Sequence, residues 1–206
     1  GCFFCDDPGG FGAGDFPPAL LARHILGRSG PQPVIYDLRA SWAVRDTVLA
    51  AGGTPDMDRV GHAFIKRRMR EIDAIFAGEV SGHYYFREFS YSDTGLVPAL
   101  LVLEMVATSG VPLSQRVAEF RERYHISGEI NSTVDDAPAA IARIRERYAD
   151  GRQAEIDGLS VDYDDWHFNV RSSNTEPLLR LNLESLVSEA DMERRRDEVL
   201  GVIRSG

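Results

Sequence analysis

The sequence predicts an α/β protein in which a mixed, mostly parallel sheet with flanking helices is followed by a small α+β domain with an antiparallel sheet. Strand and helix signals alternate as far as Phe120, which is typical of a parallel sheet with helices on its faces. Beyond Arg121–Arg123, strand signals follow one another through short turns before a closing helix, which favours antiparallel pairing. We therefore predict two domains, residues 1–121 and 122–206.

The first domain opens with an apolar strand, CFFC, and a Gly-rich turn cluster. The helix FPPALLARHIL follows, with Asp15 as its predicted N-cap and two prolines in its first turn. Next come the strand PVIYDL and the segment SWAVRDTVLAAGG, which has helical spacing, with Ser41 as a candidate cap and Gly52 and Gly53 as a stop signal.

The rest of the first domain repeats this alternation. The order is a strand, TPDMDRV, a basic helix, HAFIKRRMREI, and a strand, DAIFAGEV. The hairpin partner HYYFREFS and the long apolar helix TGLVPALLVLEMVATSG complete the domain.

The second domain follows the amphipathic helix VPLSQRVAEFRERY. It contains the strand-like HISGEINSTV, a helix DAPAAIARIRERYAD capped by Asp135 or Asp136, and two strands joined by the turn DYDD. The strand PLLRLNLES and the helix EADMERRRDEVLGVIRS end it.

Composition excludes several classes of function. The 206 residues carry a formal net charge of -9, which argues against nonspecific binding to nucleic acid or to an anionic membrane. No apolar run is long enough to cross a bilayer, and the first ten residues lack the basic and apolar regions of a signal peptide. We expect a cytoplasmic protein.

The two cysteines, Cys2 and Cys5, have the spacing of a redox or zinc motif. A second ligand pair for zinc is missing nearby, and CFFC has the pattern of a strand rather than of a helix start. We therefore interpret both as thiols in a short buried strand and predict no metal site.

The loop RSSNTEP, Arg171–Pro177, concentrates hydrogen-bond donors between two predicted strands. Arg171 supplies a planar fork suited to phosphate, and exposed backbone N–H groups of a turn can add to it. The alternative is a turn whose Ser and Asn side chains satisfy their own backbone. From the chemistry alone, both interpretations stay open.

Three other segments bear polar groups suited to a ligand. GEVSGH joins a strand to its hairpin partner and presents Glu79, Ser81 and His83, where a glutamate can accept from sugar hydroxyls and a histidine can carry a proton. His62 begins a helix, where an anion is favoured. Arg39 follows the carboxyl end of a strand, where open α/β sheets bind ligands.

Together, GEVSGH, RSSNTEPLLRL and VGHAFIK resemble the sugar-binding, phosphate-binding and histidine-bearing segments of the α-D-phosphohexomutase superfamily. The similarity is to its C-terminal half, domains 3 and 4 of bacterial phosphomannomutase/phosphoglucomutase, and it covers nearly the whole chain. The resemblance implies an isomerase that moves a phosphoryl group between the 1- and 6-positions of a hexose through a phosphoserine and hexose 1,6-bisphosphate, with Mg²⁺.

The resemblance also implies roles for individual residues. Glu79 and Ser81 would bind the sugar, and His62 and His83 would lie at the reaction centre. Arg39 replaces a basic residue that is often lysine in the family, and it suits electrostatic stabilisation better than proton transfer because an arginine stays protonated at physiological pH. The remote phosphate would be held by Arg171, Ser173, Asn174 and Thr175.

Two family motifs, the catalytic serine and an Asp-rich metal loop, are not found in these residues. The chain therefore resembles a fragment that supplies sugar and phosphate recognition to missing N-terminal domains, and it is expected to be inactive alone and to self-associate through exposed apolar surface. One alternative is a standalone, non-catalytic module that binds sugar phosphates. Another is a different α/β enzyme with its nucleophile on this chain.

Overall fold

The computed structural model describes residues 1–12, 14–173 and 176–205, without the side chains of residues 11 and 12. The chain divides into two compact units, Gly1–Glu122 and Arg123–Gly206.

The described part of unit 1 contains seven strands, five α-helices and a short 3-10 helix, Arg87–Phe89. The strands are β1 Phe4–Cys5, β2 Phe11–Gly12, β3 Pro33–Asp37, β4 Thr54–Asp58, β5 Phe76–Gly78, β6 Tyr84–Phe86 and β7 Ser92–Asp93. The helices are α1 Pro17–Ser29, α2 Trp42–Ala50, α3 His62–Ile72, α4 Leu96–Ser109 and α5 Leu113–Arg123, whose last residue belongs to unit 2.

The main sheet of unit 1 has the strand order β4-β3-β5-β6-β7. Strand β3 pairs in parallel with β4 and β5, whereas β5–β6 and β6–β7 are antiparallel. The predicted mixed sheet with flanking helices is confirmed. Because the carboxyl ends of parallel strands meet at one edge, the segments that follow β3, β4 and β5 begin at the same edge of the sheet.

Helix α1 differs from the prediction at its start. It begins at Pro17, Phe16 occupies the N-cap position, and no side chain caps it, so the assignment of Asp15 as the cap is wrong. The prolines explain this, because neither has the backbone N–H that a capping side chain would satisfy. Ser41, by contrast, caps α2 as predicted by accepting from the Ala43 N–H at 3.0 Å.

The N-terminal strand is also shorter and more exposed than predicted. Only Phe4 and Cys5 of CFFC are extended, in a small antiparallel pair with β2. Cys5 is exposed and Cys2 half-buried, both as free thiols, so the interpretation as two thiols in a buried strand is wrong.

Unit 2 is the predicted α+β domain. Its strands are β8 His125–Ile126, β9 Ile130–Thr133, β10 Arg152–Ala154, β11 Leu159–Asp162, β12 Trp166–Ser172 and β13 Leu178–Ser185, and its helices are α6 Ala137–Arg147 and α7 Glu189–Arg204. The strands form an antiparallel sheet in the order β10-β11-β12-β13-β8, with β9 also on β13.

Alternation along β12 separates the two faces of the unit 2 sheet. Trp166, Phe168 and Val170 belong to a core that includes Ile144 of α6 and Val199 of α7. Since successive strand residues point to opposite faces, the intervening residues of β12, which include Arg171, lie on the face away from this core.

Among the described residues, no single helix has the length and apolar character needed to cross a membrane. Helices α4 and α5 meet the length and composition criteria only as a pair, with a bend of 103° between them.

Candidate functional site

The loop between β5 and β6, residues 79–83, is a compact turn that holds three predicted ligand-binding residues. The Glu79 N–H donates to the His83 carbonyl at 2.9 Å, and the Gly82 N–H donates to the Glu79 carbonyl at 3.0 Å. Gly82 has a φ of 75°, a conformation that favours glycine. Ser81 Oγ lies 3.0 Å from His83 Nδ1, so the turn fixes the serine and histidine side chains against each other.

Glu79 connects this loop, called the sugar loop below after the role that its sequence predicts, to the start of α3. Its side chain is almost fully buried; Oε1 accepts from the Gly61 N–H at 3.2 Å and Oε2 accepts from the Tyr85 hydroxyl at 2.6 Å. His83 Nδ1 is 3.8 Å from Oε2. A carboxylate offers about four acceptor positions, so these contacts leave it capacity for a further donor such as a sugar hydroxyl.

The hydroxyl that Glu79 accepts from remains protonated at neutral pH. Burial, and next the hydrogen bond to the Glu79 carboxylate, raise the pKa of Tyr85 well above its ordinary value. A neutral phenol is the form that can donate. Tyr85 therefore keeps its donor hydrogen throughout the physiological pH range.

Arg39 is held against the sugar loop by Asp37, the last residue of β3. Asp37 is fully buried. Its Oδ1 accepts from Arg39 N at 2.8 Å and Nε at 3.0 Å, and its Oδ2 accepts from Arg39 Nη2 and from the Val80 N–H, both at 2.8 Å. A permanent positive charge therefore lies beside the loop that contains Glu79, in a side chain whose orientation is fixed.

Sequence analysis missed Asp37, although its position at the end of β3 in YDLR was a signal. An acidic residue at the carboxyl end of a buried strand lies where loop N–H groups need acceptors.

His62 is an exposed residue at the first position of α3, as predicted. It follows Gly61, whose φ is 128° and whose N–H bonds Glu79. One turn later, Lys66 Nζ pairs with Asp93 Oδ1 of β7 at 2.8 Å. The contacts in unit 1 thus connect Arg39, the sugar loop and the residue preceding His62 in one hydrogen-bonded network.

In unit 2, Arg171 lies next to the turn of the hairpin that β12 and β13 form. It is 9% exposed, and Nη2 donates to Glu129 Oε2 at 2.8 Å. The Ser173 N–H donates to the Leu178 carbonyl at 2.9 Å, which closes the described part of the loop. Asn174 and Thr175, the other predicted phosphate-binding residues, lie outside the described residues.

A second arginine, Arg180, is the direct cross-strand partner of Arg171. Its Nη1 donates to Glu129 Oε1 at 3.0 Å, and Nη2 is 3.4 Å from Ser173 Oγ. Sequence analysis missed Arg180. Counting residues outward from RSSNTEP would have paired the two arginines, since opposite residues of an antiparallel hairpin share a face.

Both arginines contain a buried donor without a recorded acceptor. Within the part of the chain that the structure describes, the Nε atoms of Arg171 and Arg180 are buried and lack a hydrogen-bond partner. Buried polar groups nearly always have a partner. Because the two arginines are cross-strand partners beside the loop, their donors make this hairpin a candidate position for an anionic ligand.

Comparison with known proteins finds domain profiles of one family in both units of the chain. The profile described as phosphoglucomutase/phosphomannomutase, alpha/beta/alpha domain III, matches residues 13–124, and the profile described as phosphoglucomutase/phosphomannomutase, C-terminal domain, matches residues 129–202.

Full-length relatives are about twice as long as this chain. A phosphomannomutase of Salmonella montevideo is 46% identical over 206 residues, covering 99% of this chain and 45% of the relative. A Xanthomonas campestris protein described as phosphohexose mutases is 45% identical, covering 98% and 46%. A crystal structure of a Burkholderia thailandensis phosphoglucomutase/phosphomannomutase family protein is 30% identical with a TM-score of 0.79, covering 96% and 43%.

Proposed function

Because the chain belongs to the phosphoglucomutase/phosphomannomutase family, we propose that it recognises hexose phosphate for a phosphohexomutase. The parent enzyme is an isomerase that interconverts hexose 1-phosphate and hexose 6-phosphate through a phosphoserine, with hexose 1,6-bisphosphate as intermediate and activator. Residues 1–121 correspond to family domain 3 and residues 122–206 to family domain 4. The missing N-terminal domains supply the serine, and the parent is cytoplasmic.

The observation that supports phosphate recognition most directly is the arginine pair of unit 2. Arg171 and Arg180 are cross-strand partners, and both Nε donors are buried without a partner among the described residues. Guanidinium groups suit phosphate because their planar fork donates two parallel hydrogen bonds. Arg171, Arg180, Ser173 and, by the resemblance, Asn174 and Thr175 hold the phosphate that is not being transferred.

The sugar loop of unit 1 selects the hexose. Glu79 and Ser81 accept from sugar hydroxyls, and the turn fixes their separation, so that the orientation of the hydroxyls decides how well a sugar fits. Ser81 engages Nδ1 of His83, and Nε2 is the nitrogen that we assign to the substrate. His62 is the second candidate for proton transfer or phosphate contact.

Arg39 acts through its charge. Its guanidinium is fixed by the fully buried Asp37, and an arginine stays protonated at any physiological pH. It therefore stabilises negative charge at the reacting phosphoryl group rather than moving a proton.

Mg²⁺ in the full-length family would offset charge at the transferring phosphoryl group. Across residues 1–12, 14–173 and 176–205, no group of three or more His, Cys, Asp or Glu side chains could hold a metal ion. The described residues therefore offer no such ligand cluster, and we assign the ion to the domains outside this chain.

Binding of glucose 6-phosphate, mannose 6-phosphate and inorganic phosphate by calorimetry tests both recognition loops. Since a hydrogen bond to a charged group contributes about 1.5–3 kcal/mol, Arg171→Lys should weaken binding of all three ligands roughly tenfold or more. Glu79→Gln should weaken binding of both sugar phosphates and leave the affinity for inorganic phosphate unchanged. If Arg171→Lys leaves all three affinities intact, the phosphate assignment fails.

Activity assays distinguish a fragment of an enzyme from the two alternatives. We expect no mutase turnover from the purified chain, because the serine and the metal loop are assigned elsewhere. Turnover by the chain alone, or transfer of label to it from labelled glucose 1,6-bisphosphate, would instead support a nucleophile on this chain. A standalone binding module predicts that the natural gene encodes no serine-bearing domain upstream.

A further inference from the structure

Glu129 bridges the two arginines of unit 2. It immediately precedes β9, which pairs with the Arg180 end of β13. One carboxylate oxygen accepts from Arg171 Nη2 at 2.8 Å and the other accepts from Arg180 Nη1 at 3.0 Å. A single side chain therefore fixes both guanidinium groups at once.

The arginine pair needs such a bridge. Arg171 and Arg180 are directly opposite each other across β12 and β13, and like charges at opposite positions of an antiparallel pair are destabilising. Arg171 is also mostly buried, and a buried charge without a counter-ion is strongly unfavourable. Glu129 supplies one negative charge between two positive ones, so that the pair keeps a net charge of +1 from these three groups.

We infer that Glu129 is a positioning residue of the phosphate site. Its carboxylate holds the guanidinium groups of Arg171 and Arg180 side by side, in the arrangement from which both can donate to one phosphate. Glu129 does not bind the phosphate itself, since two anions repel each other. The inference rests on the proposed function of Arg171 and assigns a role to a residue outside the loop RSSNTEP.

Two effects of Glu129 on phosphate binding have opposite signs. Its negative charge lowers the positive potential that attracts phosphate, whereas its hydrogen bonds remove the freedom of two long side chains before the ligand arrives. The side chain of Glu129 is 29% exposed, so solvent screens its repulsion of the ligand. The side chain of Arg171 is less exposed than that of Glu129, so water cannot replace the hydrogen bonds that orient its guanidinium group. Positioning therefore outweighs repulsion.

The test compares Glu129→Gln with a matched control in the same unit, Glu155→Gln. Glu155 forms an ion pair with Arg145 on the surface of the unit, and both of these side chains are about half exposed. Because the bridged hydrogen bonds are charge-assisted, we expect Glu129→Gln to weaken binding of inorganic phosphate and glucose 6-phosphate about tenfold. Glu155→Gln should leave both dissociation constants unchanged.

A spectroscopic measurement separates positioning from a loss of stability. The Nε–H groups of Arg171 and Arg180 are buried, and nitrogen-15 NMR of the ligand-free chain should show them as sharp, slowly exchanging signals. Glu129→Gln should shift or broaden both signals, whereas Glu155→Gln should affect neither. Circular dichroism establishes that each variant is folded at the temperature of the experiment.

Glu129→Asp provides a second variant that retains the charge. Aspartate is shorter by one methylene and cannot reach both guanidinium groups, so it should also weaken phosphate binding. Full phosphate affinity in Glu129→Asp, or unchanged or tighter binding in folded Glu129→Gln, would overturn the inference. If Arg171→Lys weakens binding and Glu129→Gln does not, only the role of Glu129 fails; if neither does, the proposed phosphate site itself fails.

Discussion

Two adjacent tyrosines in β6 differ in whether their hydroxyl group has a hydrogen-bond partner. Tyr84 and Tyr85 are both fully buried. The Tyr85 hydroxyl donates to Glu79 at 2.6 Å, whereas the Tyr84 hydroxyl is buried without a hydrogen-bond partner among the described residues. Tyr85 therefore stabilises the Glu79 side chain of the sugar loop, whereas Tyr84 leaves a buried polar atom unpaired.

Tyr85→Phe and Tyr84→Phe form a matched pair of substitutions. Tyr85→Phe removes a donor to a buried carboxylate and should lower the free energy of unfolding by about 1.5–3 kcal/mol. Tyr84→Phe removes an unpaired buried hydroxyl and should be neutral or stabilising. Urea unfolding followed by circular dichroism measures both, and equal losses for the two variants would contradict the assigned hydrogen bond.

Arg39 marks the limit of what single residues in the sequence reveal. Its position beyond a strand end could be predicted, because strand order and the YDLR pattern place it there. Its orientation could not, since the Asp37 carboxylate that fixes Arg39 is itself held by the N–H of Val80, in a loop 43 residues further along the chain. Contacts between residues distant in sequence leave no local pattern.

At the scale of elements, helix α6 settles an ambiguity between two neighbouring aspartates. Asp136 is the N-cap, and its Oδ1 accepts from the Ala139 N–H at 2.9 Å. Because losing a capping side chain costs about 0.5–2 kcal/mol, Asp136→Ala should lower the urea midpoint of unit 2, while Asp135→Ala should not. Emission of Trp166, a buried residue of this unit, reports the midpoint in a Trp42→Phe background. The opposite order would place the cap at Asp135.

The ion pair of Lys66 and Asp93 ties helix α3 to the edge strand β7. The hydrogen bond from Lys66 holds the pKa of the Asp93 carboxyl below its ordinary value. A lowered folded-state pKa stabilises the protein at neutral pH, and that contribution is lost as pH falls through the folded-state pKa, below about 4. Because Asp93 is 39% exposed, we expect less than about 1 kcal/mol.

A pH series of unfolding experiments checks this ion pair. Asp93→Asn should destabilise the chain at pH 7, and the difference from the unsubstituted chain should shrink in acid. In a Lys66→Met background the substitution should have little effect at any pH. A difference that persists unchanged at low pH would show that Asp93 acts through packing instead.

Element types were largely predictable, whereas the ends of elements were not. Long periodic segments such as α4 and α7, and the two hairpins that frame GEVSGH and RSSNTEP, follow from apolar spacing and turn residues. The two-residue strand β7 and the three-residue strand β10 are too short for any periodicity, and they exist because a neighbouring strand supplies partners. Tertiary pairing, not local preference, decides such segments.

At the scale of the whole molecule, helix α4 carries an apolar surface. Leu96, Leu100 and Leu103 recur at helical spacing and are 67%, 55% and 64% exposed. Single exposed leucines are ordinary in soluble proteins, but a contiguous apolar stripe marks an interaction surface. This stripe supports the prediction that the isolated chain self-associates.

Sedimentation velocity tests the prediction with a double substitution in α4 and a single-substitution control in α2. The unsubstituted chain should sediment above monomer mass, and Leu100→Glu combined with Leu103→Glu should lower that mass, because burying an unpaired charge in an interface is unfavourable. Leu49→Glu, at an isolated leucine of α2 that is also 55% exposed, should have no effect. A monomeric unsubstituted chain at micromolar concentration would contradict the prediction.

The N-terminal segment offers a natural labelling position, Cys2, in contact with the sugar loop. The Cys2 N–H donates to the carbonyl of Gly82 in the sugar loop at 2.7 Å, and the chain contains no thiols other than those of Cys2 and Cys5. A fluorophore attached to Cys2 would therefore be bonded to a residue that contacts the loop, without any engineered cysteine, and a Cys5→Ser background would make the label unique. If the loop binds sugar as proposed, the emission of this label should change with glucose 6-phosphate and not with inorganic phosphate.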